Sequence, residues 1–310
     1  MILCLGPTPA AQRVMVFRKL NLDAVNRAAT TLEVASGKPV NVAKVLQELG
    51  ASPIVTGVVG GARGEFVRSQ LLARQLPQDF ITVAAQTRQC LTVIDETTGM
   101  QTELVEESQP VAPSDYVQLE EVVRRRLADC EAIILSGSLT PGGPMDFYRR
   151  CVQLAKQAKA FAAVDAQGAS LIAALEAKPD LIKPNRAEVA ATVGRELKTE
   201  PELRAAMHEL HERGAQRVVV TNGRQPTLAS DGSRCWRITP PIIKALNPIG
   251  SGDAFTAALV WRLLRGDNLG EACRWGSASG AANALTLLPG ELERGTVEQL
   301  LPQIRVESIA

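Results

Sequence analysis

The sequence predicts an α/β fold on a mostly parallel central sheet with a small β lid. Three observations carry that expectation. The second half of the chain alternates short apolar runs with segments of helical spacing. The apolar runs are continuous rather than alternating, the pattern of strands buried on both faces. Glycine and polar residues gather just behind the runs, where binding sites in such sheets lie.

The elements follow in order. Ile2-Leu3-Cys4-Leu5 reads as a first buried strand that ends at the Gly6-Pro7 turn. Residues 42–50 have the pattern of a helix, entered through Ser36-Gly37-Lys38-Pro39-Val40-Asn41. Residues 12–28 and 87–107 are β-like with turn residues between. Within the second, 91–95, the turn Glu96-Thr97-Thr98-Gly99 and 100–105 read as a hairpin. These two segments predict a small sheet standing beside the main one as a lid. Residues 132–135, 161–165, 180–182 and 217–221 are strand candidates, and 145–159, 171–175, 186–193 and 202–213 are helical ones. The whole, 1–310, reads as a single domain with the lid inserted in it.

Composition excludes several classes. Lys+Arg total 34 against 33 for Asp+Glu, so no overall basic excess points to nucleic acid or an anionic membrane surface. Aromatic residues are 4%, too few for base-stacking platforms. No apolar run approaches a membrane span, and the N-terminus lacks a basic region for a signal peptide. The six cysteines are scattered singly, which predicts neither a zinc site nor a disulfide framework but cytoplasmic thiols. His208 and His211, the only histidines, fall on a polar, solvated helix face and give a histidine triad little material.

Asn247-Pro248-Ile249-Gly250-Ser251-Gly252-Asp253 sets a carboxylate behind a glycine turn at the start of the apolar run 254–261. Such a turn offers unpaired N–H groups at the positive end of a helix dipole and binds anions. A carboxylate there repels a phosphate, and two roles stay open for it. It is a helix-start acid, or a base that takes a proton from a hydroxyl while the amides hold a phosphoryl group.

Other stretches carry a similar choice. Pro39 and Gly50 account for the limits of the early helix. They do not require Lys38 or Asn41, which favours a ligand role for both, with Gly37 allowing close approach. Asn185 and Glu188 have the spacing of a capping box, and on their own that reading is preferred. The other reading puts Glu188 on Mg²⁺ through water and Asn185 near nucleotide phosphates. Arg88 suits bidentate phosphate recognition, with an ordinary surface arginine as the plain alternative. The glycines of 57–64 fit neither the dinucleotide fingerprint nor G-x-x-x-x-G-K-[ST], and are expected to turn a strand sharply past a binding site.

In chain order, 36–50, Ser136-Gly137-Ser138-Leu139-Thr140-Pro141-Gly142, the Pro184-Asn185-x-x-Glu188 element and 247–253 resemble the ribokinase-like phosphofructokinase B family of carbohydrate kinases. Within it, Lys38 after Gly37, Thr87-Arg88, and Asn247-Pro248 before Gly250 are similar to the branch of 1-phosphofructokinase and tagatose-6-phosphate kinase. The resemblance spans nearly the whole chain and implies a three-layer sandwich with a β lid. It implies MgATP as donor, a phosphorylated ketose as acceptor and a homodimer joined through the lid. Asp253 would be the base and the amides of Gly250, Ser251 and Gly252 the anion hole. Gln12, Gly37, Lys38, Asn41, Arg88 and Ser138 would face the sugar, with Lys38 and Arg88 on its phosphate. Lys183, Asn185, Thr221, Gly223 and Asn283 would face the nucleotide, and Glu188 would reach Mg²⁺ through water.

Two departures bear on the acceptor. The family's N-P-A-x-D element reads Thr8-Pro9-Ala10-Ala11-Gln12, so its acidic sugar contact is gone, and G-G-K-G reads Ser36-Gly37-Lys38-Pro39. The expected function is phosphoryl transfer from ATP to a ketose phosphate of the tagatose-6-phosphate, fructose-1-phosphate or fructose-6-phosphate type. The alternatives are a kinase of an unphosphorylated sugar or nucleoside, and an idle sugar-phosphate sensor.

Overall fold

A computed structural model describes residues 1–309. The chain enters with β1 (Ile2–Leu5), crosses to a second sheet as β2 (Ala10–Phe17) and β3 (Thr30–Ser36), and returns through α1 (Lys38–Glu48) to β4 (Pro53–Thr56). A two-stranded piece, β5 (Val58–Val59) and β6 (Ile81–Thr82), flanks α2 (Gly61–Ala73). The hairpin β7 (Arg88–Asp95) and β8 (Met100–Val105) completes the second sheet. After α3 (Pro113–Arg126) come β9 (Ala132–Ser136), α4 (Phe147–Gln157), β10 (Phe161–Asp165), α5 (Gly168–Leu175) and β11 (Leu181–Ile182). Then follow α6 (Arg186–Val193), α7 (Glu200–Glu212), β12 (Val218–Asn222), β13 (Gln225–Ser230) and β14 (Cys235–Thr239). The chain closes with α8 (Ser251–Leu263), α9 (Leu269–Ala284), α10 (Arg294–Leu300) and β15 (Arg305–Ile309).

The main sheet has nine strands in the order β15-β14-β13-β12-β11-β10-β9-β1-β4. It is parallel from β4 to β12 and antiparallel from β12 to β15. The continuous apolar run of β1 has a direct cause. Ile2 and Cys4 enter a core with residues of α1, α8 and α9, while Leu3 and Leu5 enter another with residues of α3, α4, α5 and α7. Both faces are covered, so no position of the strand is free to be polar. The second sheet, β3-β2-β7-β8, stands beside the carboxyl ends of the parallel strands as the lid.

Some expectations needed correction. Residues 18–29 form no strand, and one of the lid's two edge strands is β3, just beyond the expected 12–28. Its first half is exposed and polar, which hides it from an apolar-pattern reading, while in the loop before it the Asn26 side chain accepts from the Asn21 amide and donates to the Asn21 carbonyl. Helix α1 starts at Lys38, with Pro39 in its first turn, rather than at residue 42. The glycines of 57–64 do not line the cleft described below. They serve close packing: a Cβ on Gly57 would lie 2.2 Å from the Gly6 carbonyl oxygen and one on Gly60 2.1 Å from that of Ala85. His211 is not on a solvated face; its ring lies half-buried, with Nδ1 2.8 Å from the Ala215 carbonyl oxygen and Nε2 3.0 Å from Ser230 Oγ. Among the described residues no helix is long and apolar enough to cross a membrane.

Candidate active site

The parallel strands β10, β11 and β12 deliver Asp165, Lys183 and Thr221 to one edge of the sheet. The lid closes over that edge, and the N-terminus of α8 enters from the side. A cavity of about 370 Å³ lies between them. A second cavity, of about 510 Å³, adjoins it and shares Thr221, Pro248 and Gly252.

The start of α8 is built as an anion cradle. Gly250 is its N-cap at φ 85, where a Cβ would lie 2.9 Å from the backbone nitrogen of Gly290. Only glycine sits there without strain. The Ser251 amide donates to the Pro248 carbonyl at 3.1 Å, while those of Gly250, Gly252 and Asp253 meet no acceptor among the described residues. Asn247, buried, ties the preceding loop by accepting from the Ile249 amide at 3.1 Å and donating to the Leu287 carbonyl at 2.8 Å. Asn283 braces the cradle from behind: its Nδ2 donates to the Ile249 carbonyl at 2.9 Å, and its Oδ1 accepts from the Gly290 amide at 2.8 Å. Fully buried, it faces neither cavity, so the structure places it as a strut rather than beside a nucleotide.

Asp253 lies in the first turn of α8, 7% exposed. Asn41 Nδ2 donates to its Oδ2 at 2.8 Å, and Ser36 Oγ donates to Asn41 Oδ1 at 3.1 Å. Burial pushes the Asp253 carboxyl up to about 6; the charge of Asp165 adds to this, while Lys38, Asn41 and Lys183 oppose it. A carboxylate so poised can take a proton near neutral pH.

Asp165 is the residue that the sequence showed only as a polar strand end. It is 1% exposed and pairs with two lysines, Lys38 Nζ at 3.0 Å from Oδ1 and Lys183 Nζ at 3.2 Å from Oδ2. Burial alone would raise its pKa, but Lys183 and Lys38 outweigh burial and hold it at about 2. Burial likewise works against the charge of Lys38, and Asp165, Asp253 and Glu188 override it and raise its pKa. Thr256 Oγ1, one turn after Asp253, lies 3.0 Å from Asp165 Oδ2 and so joins the pair to α8. Lys38 therefore belongs to this ionic cluster as well as to the cavity wall.

On the lid side, Gln12 and Arg88 line the cavity together with Gly37, which opens α1 at φ 96. Gln12 is buried and donates through Nε2 to Thr92 Oγ1 at 2.9 Å. Arg88 donates to the Thr8 carbonyl at 3.4 Å, and its Nε is buried without a partner among the described residues. Ser138 is exposed and lines neither cavity.

Asn185 and Glu188 reach the same cavity and also form a complete capping box. Glu188 Oε2 accepts from the Asn185 amide at 2.7 Å, and Asn185 Oδ1 accepts from the Glu188 amide at 2.9 Å. Gly223 and Ser251 line the second cavity, whose walls include Ile242, Ile243 and Phe255.

A helix-terminal anion cradle, a poised carboxylate and flanking lysines at the carboxyl ends of a parallel sheet define a group-transfer enzyme of the sugar-kinase class. The chain belongs to the pfkB family of carbohydrate kinases, whose model, described as "pfkB family carbohydrate kinase", matches residues 2–291. Among solved structures it is similar to phosphofructokinase-2 from Escherichia coli at 29% identity, covering 97% of this chain and 98% of that one with a TM-score of 0.89. A Thermotoga maritima protein described as a possible 1-phosphofructokinase shares the fold at 23% identity, covering 100% and 99% of the two chains with a TM-score of 0.91. A carbohydrate kinase from Agrobacterium tumefaciens also shares it, at 21% identity over 99% of each chain with a TM-score of 0.75.

Proposed function

We propose that this kinase transfers the γ-phosphoryl group of ATP to a hydroxyl of a phosphorylated ketose of the tagatose-6-phosphate, fructose-1-phosphate or fructose-6-phosphate type. One observation carries the reading: a buried, Asn41-held carboxylate stands at the mouth of a helix whose amides at Gly250, Gly252 and Asp253 meet no acceptor among the described residues. Asp253 takes the hydroxyl proton, the sugar oxygen attacks the γ-phosphorus, and the bond to the nucleoside diphosphate breaks. The amides stabilise charge on the transferring group, where positioning and electrostatics do most of the work. Lys38 and Arg88 supply cations for the acceptor's existing phosphate. That favours a phosphorylated sugar over a free sugar or nucleoside, and the E. coli relative has been solved with fructose-6-phosphate. The nucleotide occupies the second cavity by Gly223, with its phosphates running past Thr221 towards Lys183 and Asn185.

Mg²⁺ suits the donor set in one way. Among the described residues no group of three or more His, Cys, Asp or Glu can hold a metal. Glu188 keeps one carboxylate oxygen outside its cap, enough for a water of a hydrated ion carried on phosphates. Bound there, the ion would neutralise phosphate charge.

We read residues 1–310 as one kinase domain that pairs through the lid, whose outer face sets Leu104, 53% exposed, beside Met15 and Leu91. The six free thiols support a cytoplasmic setting. A turnover screen of ketose and aldose phosphates with MgATP tests the function, with unphosphorylated sugars as controls. Preference for an unphosphorylated sugar would overturn the acceptor assignment, and absence of turnover would overturn the activity. Light scattering tests the dimer.

A further inference from the structure

The inner wall of the lid carries a carboxylate for which the reading above has no use. Glu103, on β8, lines the same cavity as Gln12, Arg88 and Asp253. Strand register fixes its place: it lies opposite Thr92, one row along from the pair Cys90 and Val105, and Cys90 in turn lies opposite Gln12. Glu103 has no ion pair and no hydrogen bond among the described residues. Arg88 shares the wall, yet among the described residues it forms no ion pair and donates one hydrogen bond, to Thr8.

Opposite charges that face one cavity without pairing are both available to what the cavity takes. A carboxylate on the wall of a phosphate-binding cleft repels the ligand's phosphate, and that cost is offset when it accepts hydrogen bonds from the ligand's hydroxyls. The amide of Gln12 is already oriented, because its Nε2 is given to Thr92 Oγ1. What remains for the cavity is its oxygen, an acceptor, and the second N–H of Nε2. The wall thus offers one cation and two acceptors, which matches a polyhydroxylated chain ending in a single phosphate.

We propose that Glu103 is a specificity-determining residue of the acceptor site, its carboxylate taking hydrogen bonds from sugar hydroxyls so that the enzyme selects polyhydroxylated sugar phosphates over their deoxygenated analogues. This rests on the kinase reading above and deepens it.

The test assays wild type and Glu103→Gln at saturating MgATP on fructose-6-phosphate, fructose-1-phosphate, tagatose-6-phosphate and deoxy analogues of the best of them. The variant is expected to raise the acceptor KM about tenfold, the scale of losing a charge-assisted contact. The KM for ATP and the melting temperature should stay put. The wild-type preference for the full sugar over the analogue lacking the contacted hydroxyl should shrink by a similar factor. An active wild type with an indifferent variant overturns the assignment of Glu103 alone. A variant that shifts both KM values and the melting temperature together shows a structural role and overturns it too. A wild type that neither turns over nor binds any of these sugars overturns the kinase reading and this inference with it.

Discussion

Asn41 and Asp253, 212 residues apart in the chain, are joined by one hydrogen bond of 2.8 Å between Nδ2 and Oδ2. It links the first turns of α1 and α8 across the cleft. It also holds one oxygen of the carboxylate and leaves the other free to meet a hydroxyl. The bond favours the charged form of a group that burial pushes the other way, and the balance stands at about 6.

Asp253→Asn is expected to lower kcat by about two to four orders of magnitude, the range for a positioned general base, with little change in affinity for ATP or sugar. It should also stabilise the protein at pH 7. The folded carboxyl titrates at about 6, against about 3.9 for an unfolded aspartate. Its ionised form is therefore disfavoured by folding, by about 2–3 kcal/mol at pH 7. That penalty is fully present above the folded pKa and vanishes as the pH falls to the unfolded one. Thermal unfolding at pH 7 and pH 4 checks the sign: the gain in Tm belongs at pH 7 and should fade at pH 4. A variant with near-normal turnover would leave Asp253 a helix-start acid only.

The pH profile follows from the same residue. kcat/KM of the wild type should fall below about pH 6 as Asp253 takes up its proton. Asn41→Ala removes a donor that favours the carboxylate, so the acid limb should move to higher pH. A limb that stays in place would show that Asn41 does not tune the base.

How far the sequence carries this site depends on what each residue does locally. Gly250, Gly252 and Asp253 were legible because a turn, a helix start and an acid follow one another within a few residues. Asn41 was legible as a helix-start polar residue, although its partner was not. Asp165 was visible only as a polar end to an apolar strand, because its two lysines come from Lys38 and Lys183, distant in sequence. Asn283 and Asn247 look alike in sequence, one in a helix and one in a loop, and both turn out to hold backbone. Glu103 sits in a hairpin strand whose register alone decides which side faces the cleft. The main sheet was legible for the same reason as Asp253. Burial on both faces leaves a local mark, whereas the antiparallel edge of β13, β14 and β15 leaves a weaker one.

Arg88 and Lys38 separate by what else they touch. Arg88→Ala should weaken the acceptor by about 1.5–3 kcal/mol, the scale of a hydrogen bond to a charged group, and leave ATP binding alone. Its melting temperature should hardly change, since Arg88 has no ion pair among the described residues. Lys38→Ala takes away one of the two cations on the buried Asp165, so melting temperature should fall along with activity. Calorimetric titration of each ligand, with melting curves, checks both. Equal losses for ATP and sugar in Arg88→Ala would remove Arg88 from the acceptor phosphate.

The capping box of Asn185 and Glu188 allows cap and charge to be pulled apart. Asn185→Ala removes the acceptor of the Glu188 amide and should cost about 0.5–2 kcal/mol of stability, as for other N-caps. Glu188→Gln keeps an oxygen to accept from the Asn185 amide, so the cap survives while the charge is lost. If Glu188 also steadies a hydrated Mg²⁺, this variant should need more Mg²⁺ for half-maximal rate at an unchanged melting temperature. The comparison is a Mg²⁺ titration at fixed ATP beside a melting curve for each variant. A Glu188→Gln protein that melts lower but titrates like the wild type would reduce the pair to the start of α6. The carboxylates left in the cavity would then be Asp165, held by two lysines, Glu103 on the lid wall and Asp253, held by Asn41.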